Sequence, residues 1–347
     1  MRAVIADGLG KTWVVREVPD PTPGPADLLI GVEASGICRT DIHLNSRADY
    51  GGTFPRIPGH EFVGRVVEVG RDVRGWQPGD RAGVAWAQRW CGHCRMCREE
   101  SYSFCTAGCD VTGGTVDGGH AELAVVDAAA AIPVPDGLDA SQLAPVLCAG
   151  YTVYTALRDA SVAPGDRVAV IGIGGLGHLA IQYARCLGAS VVAVTSDHGK
   201  RNELYGFGAA DVIVAAGEAA AEALGRAGGA DVVLLTGSGD VGSIAEALRA
   251  GGRVALISPS DGPVAISVRD AIFKRVRIIG SSPGPRDLLR QAIALHEGRG
   301  VRVATQTFSL DEAPLAFDLV RRGAVRYRAV LLPASPSAYF DSRIGEN

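Results

Sequence analysis

Four cysteines within fifteen residues are the most improbable feature of this chain. The segment reads Cys91-Gly-His-Cys94-Arg-Met-Cys97, and Cys105 follows after seven further residues. Four thiolates at this spacing are typical of a structural Zn²⁺ site, and two-residue gaps between cysteines favour a metal over disulfides. The sequence therefore predicts a zinc lobe at 88–109. Because four thiolates leave no coordination position open, we expect this zinc to hold the lobe in shape rather than to catalyse.

A glycine-rich segment is the second candidate for chemistry. It follows an apolar run at Arg167–Ile171 and precedes a helical pattern at His178–Leu187. Between a strand and a helix, such a loop allows a tight turn and brings a pyrophosphate close to the helix N-terminus, whose free amides favour negative charge. A plain glycine turn is the alternative. The predicted dinucleotide-binding residues are Gly172, Gly174, Gly175, Leu176 and Gly177.

The end of the next predicted strand bears on the choice of cofactor. It carries Thr195 where a dinucleotide fold that prefers NAD usually carries Asp or Glu. Threonine does not repel a 2′-phosphate, and Ser196, Lys200 and Arg201 are candidates to bind one. Asp197 argues for NAD(H), because a carboxylate there could reach a ribose hydroxyl. The sequence favours NADP(H) over NAD(H) and leaves both open.

Length and composition limit the class of protein. The chain has 347 residues, which predicts about two domains, and 47% of them are hydrophobic. The net charge is −4 without basic blocks, so nucleic acid is not an expected partner. No run of eighteen apolar residues and no signal peptide occur, so we expect a cytoplasmic protein without a membrane partner. In a reducing compartment its eight cysteines should remain thiols or bind metal.

The sequence pattern changes near residue 150. Before it, short β-type runs alternate with Pro/Gly/Asp turns and predict an antiparallel β domain, at Leu28–Val32, Gly64–Val69, Arg81–Trp86 and Ala121–Val126. From about residue 165, fully apolar runs alternate with helical patterns, which predicts a six-stranded parallel sheet. These runs begin near Val168, Val191, Val212, Val232, Val254 and Val276. After Pro283 we expect a helix at Asp287–Glu297 and a last strand at Ala329–Leu332.

Several dispersed motifs resemble one enzyme family. They are Gly36-Ile-Cys38-Arg39-Thr40-Asp41-Ile-His43, Gly59-His60-Glu61, Val69-Gly70, Pro78-Gly79-Asp80, Cys148-Ala-Gly150 and Gly251-Gly-Arg-Val. With the cysteine lobe, they resemble the zinc-dependent alcohol dehydrogenases of the medium-chain dehydrogenase/reductase superfamily over nearly the whole chain. The resemblance implies an α/β protein with a GroES-like β-rich catalytic domain and a Rossmann doubly wound parallel sheet. It implies the first domain at 1–150, completed by about 287–347, and the Rossmann domain at 151–286.

The same resemblance implies a catalytic zinc, and hence two zinc ions per chain. Its ligands would be Cys38, His60 and Cys148, with the fourth position open to water or substrate oxygen. Glu61 is similar to an adjacent acid that reaches the zinc transiently, and Asp41 to a carboxylate that orients the His60 ring. Taken alone, Cys38 and Cys148 would each be read as an ordinary buried thiol.

The implied reaction interconverts an alcohol and its aldehyde or ketone by hydride transfer with NAD(P)(H), while zinc polarises the substrate oxygen. Thr40 would take the proton and pass it through the nicotinamide ribose hydroxyls to His43. Further cofactor contacts are implied for Arg39, Thr152, Thr236, Ser281 and Arg328.

The sequence indicates less about the oligomeric state and the substrate. The resemblance implies a homo-oligomer, either a dimer or a tetramer. A small alcohol or carbonyl compound is the expected substrate, and Trp86 and the Tyr50–Phe54 loop are candidates for the walls of its pocket. Two alternatives remain open, namely a relative that reduces a conjugated or imine bond with NADPH, and a polyol dehydrogenase.

Three further residues have no predicted part in the reaction. His120 is expected to be structural, Cys186 is expected to pack against the sheet, and Cys109 has no assigned role.

Overall fold

The computed structural model describes residues 1–237, 244–259 and 266–333. The chain folds into two compact units. The first contains Met1–Cys148, Gly284–Arg286 and the described part of Val303–Asn347, and the second contains Ala149–Pro283 and Asp287–Arg302. The predicted completing segment at about 287–347 therefore differs from the structure at its start, because Asp287–Arg302 groups with the second unit. Residues 334–347 of that segment lie outside the described residues.

A seven-stranded sheet forms the centre of the first unit. Its order is β16-β17-β3-β4-β5-β9, and β8 also pairs with β3. All neighbours are antiparallel except β16 and β17, which are parallel. The predicted antiparallel β domain is thus present. The strands are β3 (Asp27–Ile37), β4 (Phe62–Val69), β5 (Arg81–Val84), β8 (Leu123–Asp127), β9 (Ile132–Pro133), β16 (Thr305–Ser309) and β17 (Arg328–Leu332).

Alternation along the long central strand β3 explains how this sheet makes a core. Leu28, Ile30 and Val32 point to one face and are buried against Phe62 and Val66 of β4. Smaller elements complete the unit. They are the paired strands β1 (Arg2–Ile5) and β2 (Val14–Glu17), the paired strands β6 (Ala87–Gln88) and β7 (Asp110–Val111), and the helices α1 (Arg39–Ser46), α2 (Arg95–Arg98), α3 (Ala140–Leu143) and α10 (Ala313–Arg321).

The second unit contains the predicted six-stranded parallel sheet, in the order β12-β11-β10-β13-β14-β15. Strand order reverses between β10 and β13, which in doubly wound sheets is where ligands bind. The strands are β10 (Arg167–Ile171), β11 (Ser190–Thr195), β12 (Asp211–Val214), β13 (Ala230–Leu235), β14 (Leu248–Leu256) and β15 (Arg277–Gly280). The helices are α4 (Ala149–Asp159), α5 (Gly177–Cys186), α6 (Arg201–Gly206), α7 (Glu218–Arg226), α8 (Val268–Phe273) and α9 (Arg286–Gly298).

Central strands of this sheet are buried on both faces, which is why their sequences are apolar throughout. Val168, Ala169 and Val170 of β10 are all fully buried. Across the part of the chain that the structure covers, no helix combines the length and apolar character needed to span a bilayer.

Candidate active site

Cys38, His60 and Cys148 meet in the first unit. One ligand atom from each lies within 4.8 Å of the others. The sulfur atoms of Cys38 and Cys148 are 3.8 Å apart. Cys38 caps the N-terminus of α1 directly after β3, whereas Cys148 directly precedes α4. The end of the central strand β3 and the start of α4 thus bring together residues that are far apart in sequence.

A buried carboxylate fixes the His60 ring. Asp41 Oδ1 lies 3.0 Å from His60 Nδ1, and both side chains are buried. Asp41 is itself held, because its Oδ2 accepts the Cys38 N–H at 2.7 Å. His60 Nε2 is buried and has no hydrogen-bond partner among the described residues. When the single proton of a neutral ring is on Nδ1 facing Asp41, the lone pair is on Nε2.

This donor set fits zinc. Two sulfur atoms and one imidazole nitrogen, with a carboxylate behind the histidine, are the ligands that a catalytic Zn²⁺ site provides while leaving a position open. The thiols already interact, since a hydrogen bond from the Cys148 thiol lowers the pKa of Cys38 well below its usual value. The same contact raises the pKa of Cys148.

Glu61 and Arg328 form a buried ion pair that sequence reasoning missed. Arg328 Nη2 contacts Glu61 Oε1, although the two residues are 267 positions apart. The resemblance assigns Arg328 to the cofactor, but its side chain is buried against Glu61 at the start of β17. Gly36 makes room for the pair, because a Cβ there would lie 2.5 Å from Glu61 Oε1. No spacing in the sequence could have indicated this contact.

The two members of this pair differ in how readily they lose their charge. Burial raises the pKa of Glu61 to about 8, even though the Arg328 guanidinium opposes the shift. Burial also opposes the charge of Arg328, but the neighbouring Glu61 and Cys38 outweigh it and raise the pKa of Arg328. Arg328 is therefore the permanently charged member of the pair, and Glu61 is the group that can titrate.

The predicted relay residues lie on α1. The sulfur of Cys38 is 3.6 Å from Thr40 Oγ1. His43 lies one turn further along the helix and stacks on Tyr50. Trp86 contacts His60 edge to face, with ring centroids 5.2 Å apart and planes at 82°. Because β5 ends at Val84, Trp86 lies in the connection before β6 rather than at a strand end as predicted.

The four cysteines of the predicted lobe also converge. The sulfur atoms of Cys91, Cys94, Cys97 and Cys105 lie within 4.8 Å of one another. Backbone N–H groups donate to three of these sulfur atoms, each at 3.4 Å. The Cys91 N–H donates to Cys105, the Cys94 N–H to Cys91, and the Cys97 N–H to Cys94. Backbone donors at Thr106 and Cys97 lower the pKa of Cys94 to about 5. Four sulfur atoms this close together match the donor set of a closed four-cysteine zinc site.

A cavity of about 160 Å³ lies beside the glycine loop in the second unit. Its lining includes Gly172, Ile173, Thr195, Ser196 and Lys200. Gly172 has φ +93°, which favours glycine, and a Cβ at Gly177 would lie 2.4 Å from the Gly172 carbonyl oxygen. The cavity lies where β10 and β11 end, as the dinucleotide prediction requires.

Comparison with known proteins decides the family. The family models "Alcohol dehydrogenase GroES-like domain" and "Zinc-binding dehydrogenase" match residues 24–136 and 175–298. An alcohol dehydrogenase of Aspergillus sp. (strain MF297-2) is 34% identical over 333 residues, which cover 95% of this chain and 97% of the relative. One from Rhizobium meliloti (strain 1021) is 35% identical over 336 residues, covering 95% and 98%. The chain belongs to the zinc-dependent alcohol dehydrogenases. CAD from Helicobacter pylori, complexed with NADP(H), is similar in structure, with a TM-score of 0.82 and 25% identity over 95% of this chain and 98% of that one.

The predicted family and fold class are therefore confirmed. As a zinc-dependent alcohol dehydrogenase, the protein is an oxidoreductase that interconverts alcohols and carbonyl compounds with zinc and a nicotinamide cofactor.

The remaining predicted cofactor residues of this alcohol dehydrogenase have varied surroundings. Arg201 donates to the Val212 carbonyl at 3.2 Å, and Ser281 donates to Asp159 at 2.7 Å. The hydroxyl of Thr236 donates to the carbonyls of Ile171, at 3.1 Å, and Gly172. It therefore braces the glycine loop. Thr152 is buried on α4, and Arg39 is exposed at the start of α1.

Proposed function

We propose that Cys38, His60 and Cys148 hold the catalytic zinc of this alcohol dehydrogenase and that the four-cysteine lobe holds a second zinc. The observation that carries the proposal is the His60 Nε2 atom, which is buried beside two sulfur atoms and lacks a hydrogen-bond partner in the described part of the chain. A zinc ion bound there supplies Lewis acidity toward an alcohol or carbonyl oxygen. Metal analysis should then give about two zinc ions per chain.

Asp41 and Glu61 have different proposed roles. Asp41 accepts a hydrogen bond from His60 Nδ1–H, which fixes the tautomer and directs Nε2 toward the metal position. Glu61 presents a buried Oε2 atom that has no hydrogen-bond partner within the described residues, while Arg328 holds Oε1. One carboxylate oxygen is thus available as an additional, intermittent zinc ligand, and the charge of Arg328 limits how strongly it binds.

The proton leaves through α1 in this proposal. Thr40 accepts the proton that the alcohol loses and passes its own hydroxyl proton on toward His43, so its hydroxyl stays neutral; its position next to the ligand Cys38 suits this role. His43 is three residues later on the same helix face and half-buried, so its ring connects the interior with solvent. Imidazole suits this terminal position because its unperturbed pKa lies near neutrality.

The proposed substrates are uncharged primary or secondary alcohols and the matching aldehydes or ketones. Trp86 supports this, since its apolar ring stands against His60 beside the metal position. The test is a steady-state assay of NADPH and NADH consumption over a panel of aldehydes, ketones, conjugated alkenes, imines and polyol-derived ketoses. We expect consumption with simple aldehydes or ketones. Consumption confined to conjugated alkenes or imines would contradict the proposal, and preference for ketoses would favour a polyol dehydrogenase.

We further propose NADP(H) as the preferred cofactor. Lys200 lines the cavity beside Thr195 and Ser196, and no acidic side chain is among the described lining residues. Lys200 Nζ donates to the Ile173 carbonyl at 2.7 Å, which holds its positive charge beside the glycine loop, where it favours a phosphate group. The similar H. pylori protein was solved with NADP(H).

Lys200→Ala is the variant that tests this preference. We expect KM for NADPH to rise about tenfold, since a charge-assisted hydrogen bond contributes about 1.5–3 kcal/mol, while KM for NADH changes little. Arg201→Ala is the matched control, because the Arg201 guanidinium donates to the Val212 carbonyl and should affect NADPH less. An equal rise with both cofactors would show that Lys200 does not read the 2′-phosphate.

A homo-oligomer, dimer or tetramer, and a cytoplasmic location are also proposed. Six of the eight cysteines belong to the two candidate zinc sites, where they must stay reduced to bind metal, which supports a reducing compartment. Four apolar side chains on α8 and the edge strand β15 are exposed, which supports a protein interface at that surface. They are Val268, Ile272, Phe273 and Ile278.

A further inference from the structure

We propose that Tyr50 is a positioning residue of this alcohol dehydrogenase, whose ring holds the His43 imidazole in the orientation needed for proton release. The inference rests on the proposed relay from Thr40 to His43. It assigns a task to the loop after α1, for which the sequence suggested only a pocket wall. Tyr50 itself touches neither substrate nor cofactor in this role and acts through His43.

Contact between the two rings is direct. The ring centroids of His43 and Tyr50 are 4.9 Å apart, and the ring planes are inclined by 28°. This is an offset stack, the geometry that aromatic pairs prefer. His43 is half-buried in the last turn of α1. Contact with the face of the Tyr50 ring limits the rotamers that its imidazole can adopt.

Local backbone geometry brings Tyr50 back onto the helix. A single 3₁₀ turn at Ala48–Tyr50 follows Arg47, and the Tyr50 N–H donates to the Arg47 carbonyl at 3.3 Å. Gly51 ends the turn at φ +71°, and its N–H donates to the Ala48 carbonyl at 3.1 Å. Because a positive φ is costly for other residues, Gly51 fixes the direction in which the chain leaves.

An ion pair secures the same turn. Arg47 Nη2 and Nε lie 2.8 and 3.2 Å from the two carboxylate oxygens of Asp49. The Arg47 guanidinium carbon also lies 5.4 Å from the centroid of the Tyr50 ring, within the range of a cation–π contact. Tyr50 is therefore braced by the residues that precede it. A braced ring can restrain His43, whereas a mobile one could not.

Orientation matters because the two imidazole nitrogens have different tasks. In a relay, one nitrogen must receive the proton from the interior while the other releases it to solvent. A rotated ring presents the wrong atom, and general acid–base catalysis is sensitive to such geometry. The contribution comes from the face of the Tyr50 ring and not from its hydroxyl. Phenylalanine should therefore substitute for tyrosine, and leucine should not.

The experiment is a double-mutant cycle on the zinc-loaded enzyme, measured as kcat and KM for alcohol oxidation. Tyr50→Leu should lower kcat about fivefold with little change in KM for the cofactor, and Tyr50→Phe should retain most of kcat. In the His43→Gln background, Tyr50→Leu should have no further effect on kcat, since there is no imidazole to hold. Tyr205→Leu, at an exposed tyrosine on α6, is the matched control.

The outcomes separate this inference from the relay on which it rests. If His43→Gln lowers kcat but Tyr50→Leu lowers it equally in both backgrounds, Tyr50 does not act through His43. Equal losses in Tyr50→Phe and Tyr50→Leu would assign the effect to the hydroxyl and would also overturn the inference. If His43→Gln leaves kcat unchanged, the relay itself is wrong, and the positioning role of Tyr50 is lost with it.

Discussion

Cys38→Ser is expected to lower kcat/KM for aldehyde or ketone reduction by about 10³-fold. The substitution removes one of the three predicted ligands of the catalytic zinc, and the Lewis acidity at stake amounts to several kcal/mol in the transition state, at about 1.4 kcal/mol per tenfold. It also removes the thiol that contacts both Cys148 and Thr40. Steady-state kinetics and zinc analysis together measure the effect, with zinc content falling from about two ions to about one per chain.

A matched substitution controls for the chemistry of cysteine replacement. Cys186→Ser changes a half-buried thiol at the end of α5, away from either cysteine cluster, and should leave kcat/KM and zinc content as in the parent protein. If Cys38→Ser kept full turnover while retaining its fold, the assignment of Cys38 to a catalytic zinc would be wrong. Circular dichroism distinguishes that result from simple unfolding.

Cys97→Ser is expected to remove the second zinc and to destabilise the first unit. Cys97 is buried, and its sulfur lies 3.8 Å from that of Cys91. Binding of a structural zinc contributes directly to folding free energy, and a loss of about 3 kcal/mol would lower Tm by about 10 °C in a domain of this size. The activity of molecules that remain folded should fall much less than in Cys38→Ser, because the lobe offers no open coordination position.

Cys109→Ser is the matched control for the lobe. Cys109 lies four residues after Cys105 but does not belong to the cluster of four ligand atoms. We expect it to keep both zinc ions and the parental Tm. Unchanged zinc content and Tm in Cys97→Ser would exclude the four-thiolate site, whereas zinc loss in Cys109→Ser would show that the ligand set is different.

Features that repeat or are local in sequence could be predicted. The six parallel strands were found because strands buried on both faces must be apolar throughout, as at Val168–Val170. The convergence of the four lobe cysteines could be predicted because they lie within one short segment. The glycine loop was found because a turn with φ +93° at Gly172 requires glycine. In each case the physical requirement acts on neighbouring residues.

Features that depend on the path of the whole chain could not be predicted. The contact between Arg328 and Glu61 joins residues 267 positions apart, and the cofactor role predicted for Arg328 gives no indication of it. The helical pattern after Pro283 was correct, but the grouping of Asp287–Arg302 with the second unit depends on packing that no local pattern encodes. The directions of side chains are not encoded locally either, since nothing in the sequence indicates that Arg201 donates to the Val212 carbonyl.

The two cysteine clusters differ in how much chain must be present before they can form. The lobe closes a loop of fifteen residues, whereas Cys38 and Cys148 are separated by 110 positions. Closing a longer loop costs more conformational entropy, and here it also requires β3 and the start of α4 to be in place. During synthesis, the four sulfur atoms of the lobe can therefore come together on a nascent chain. The donors Cys38, His60 and Cys148 can meet only later, after Cys148 has left the ribosome.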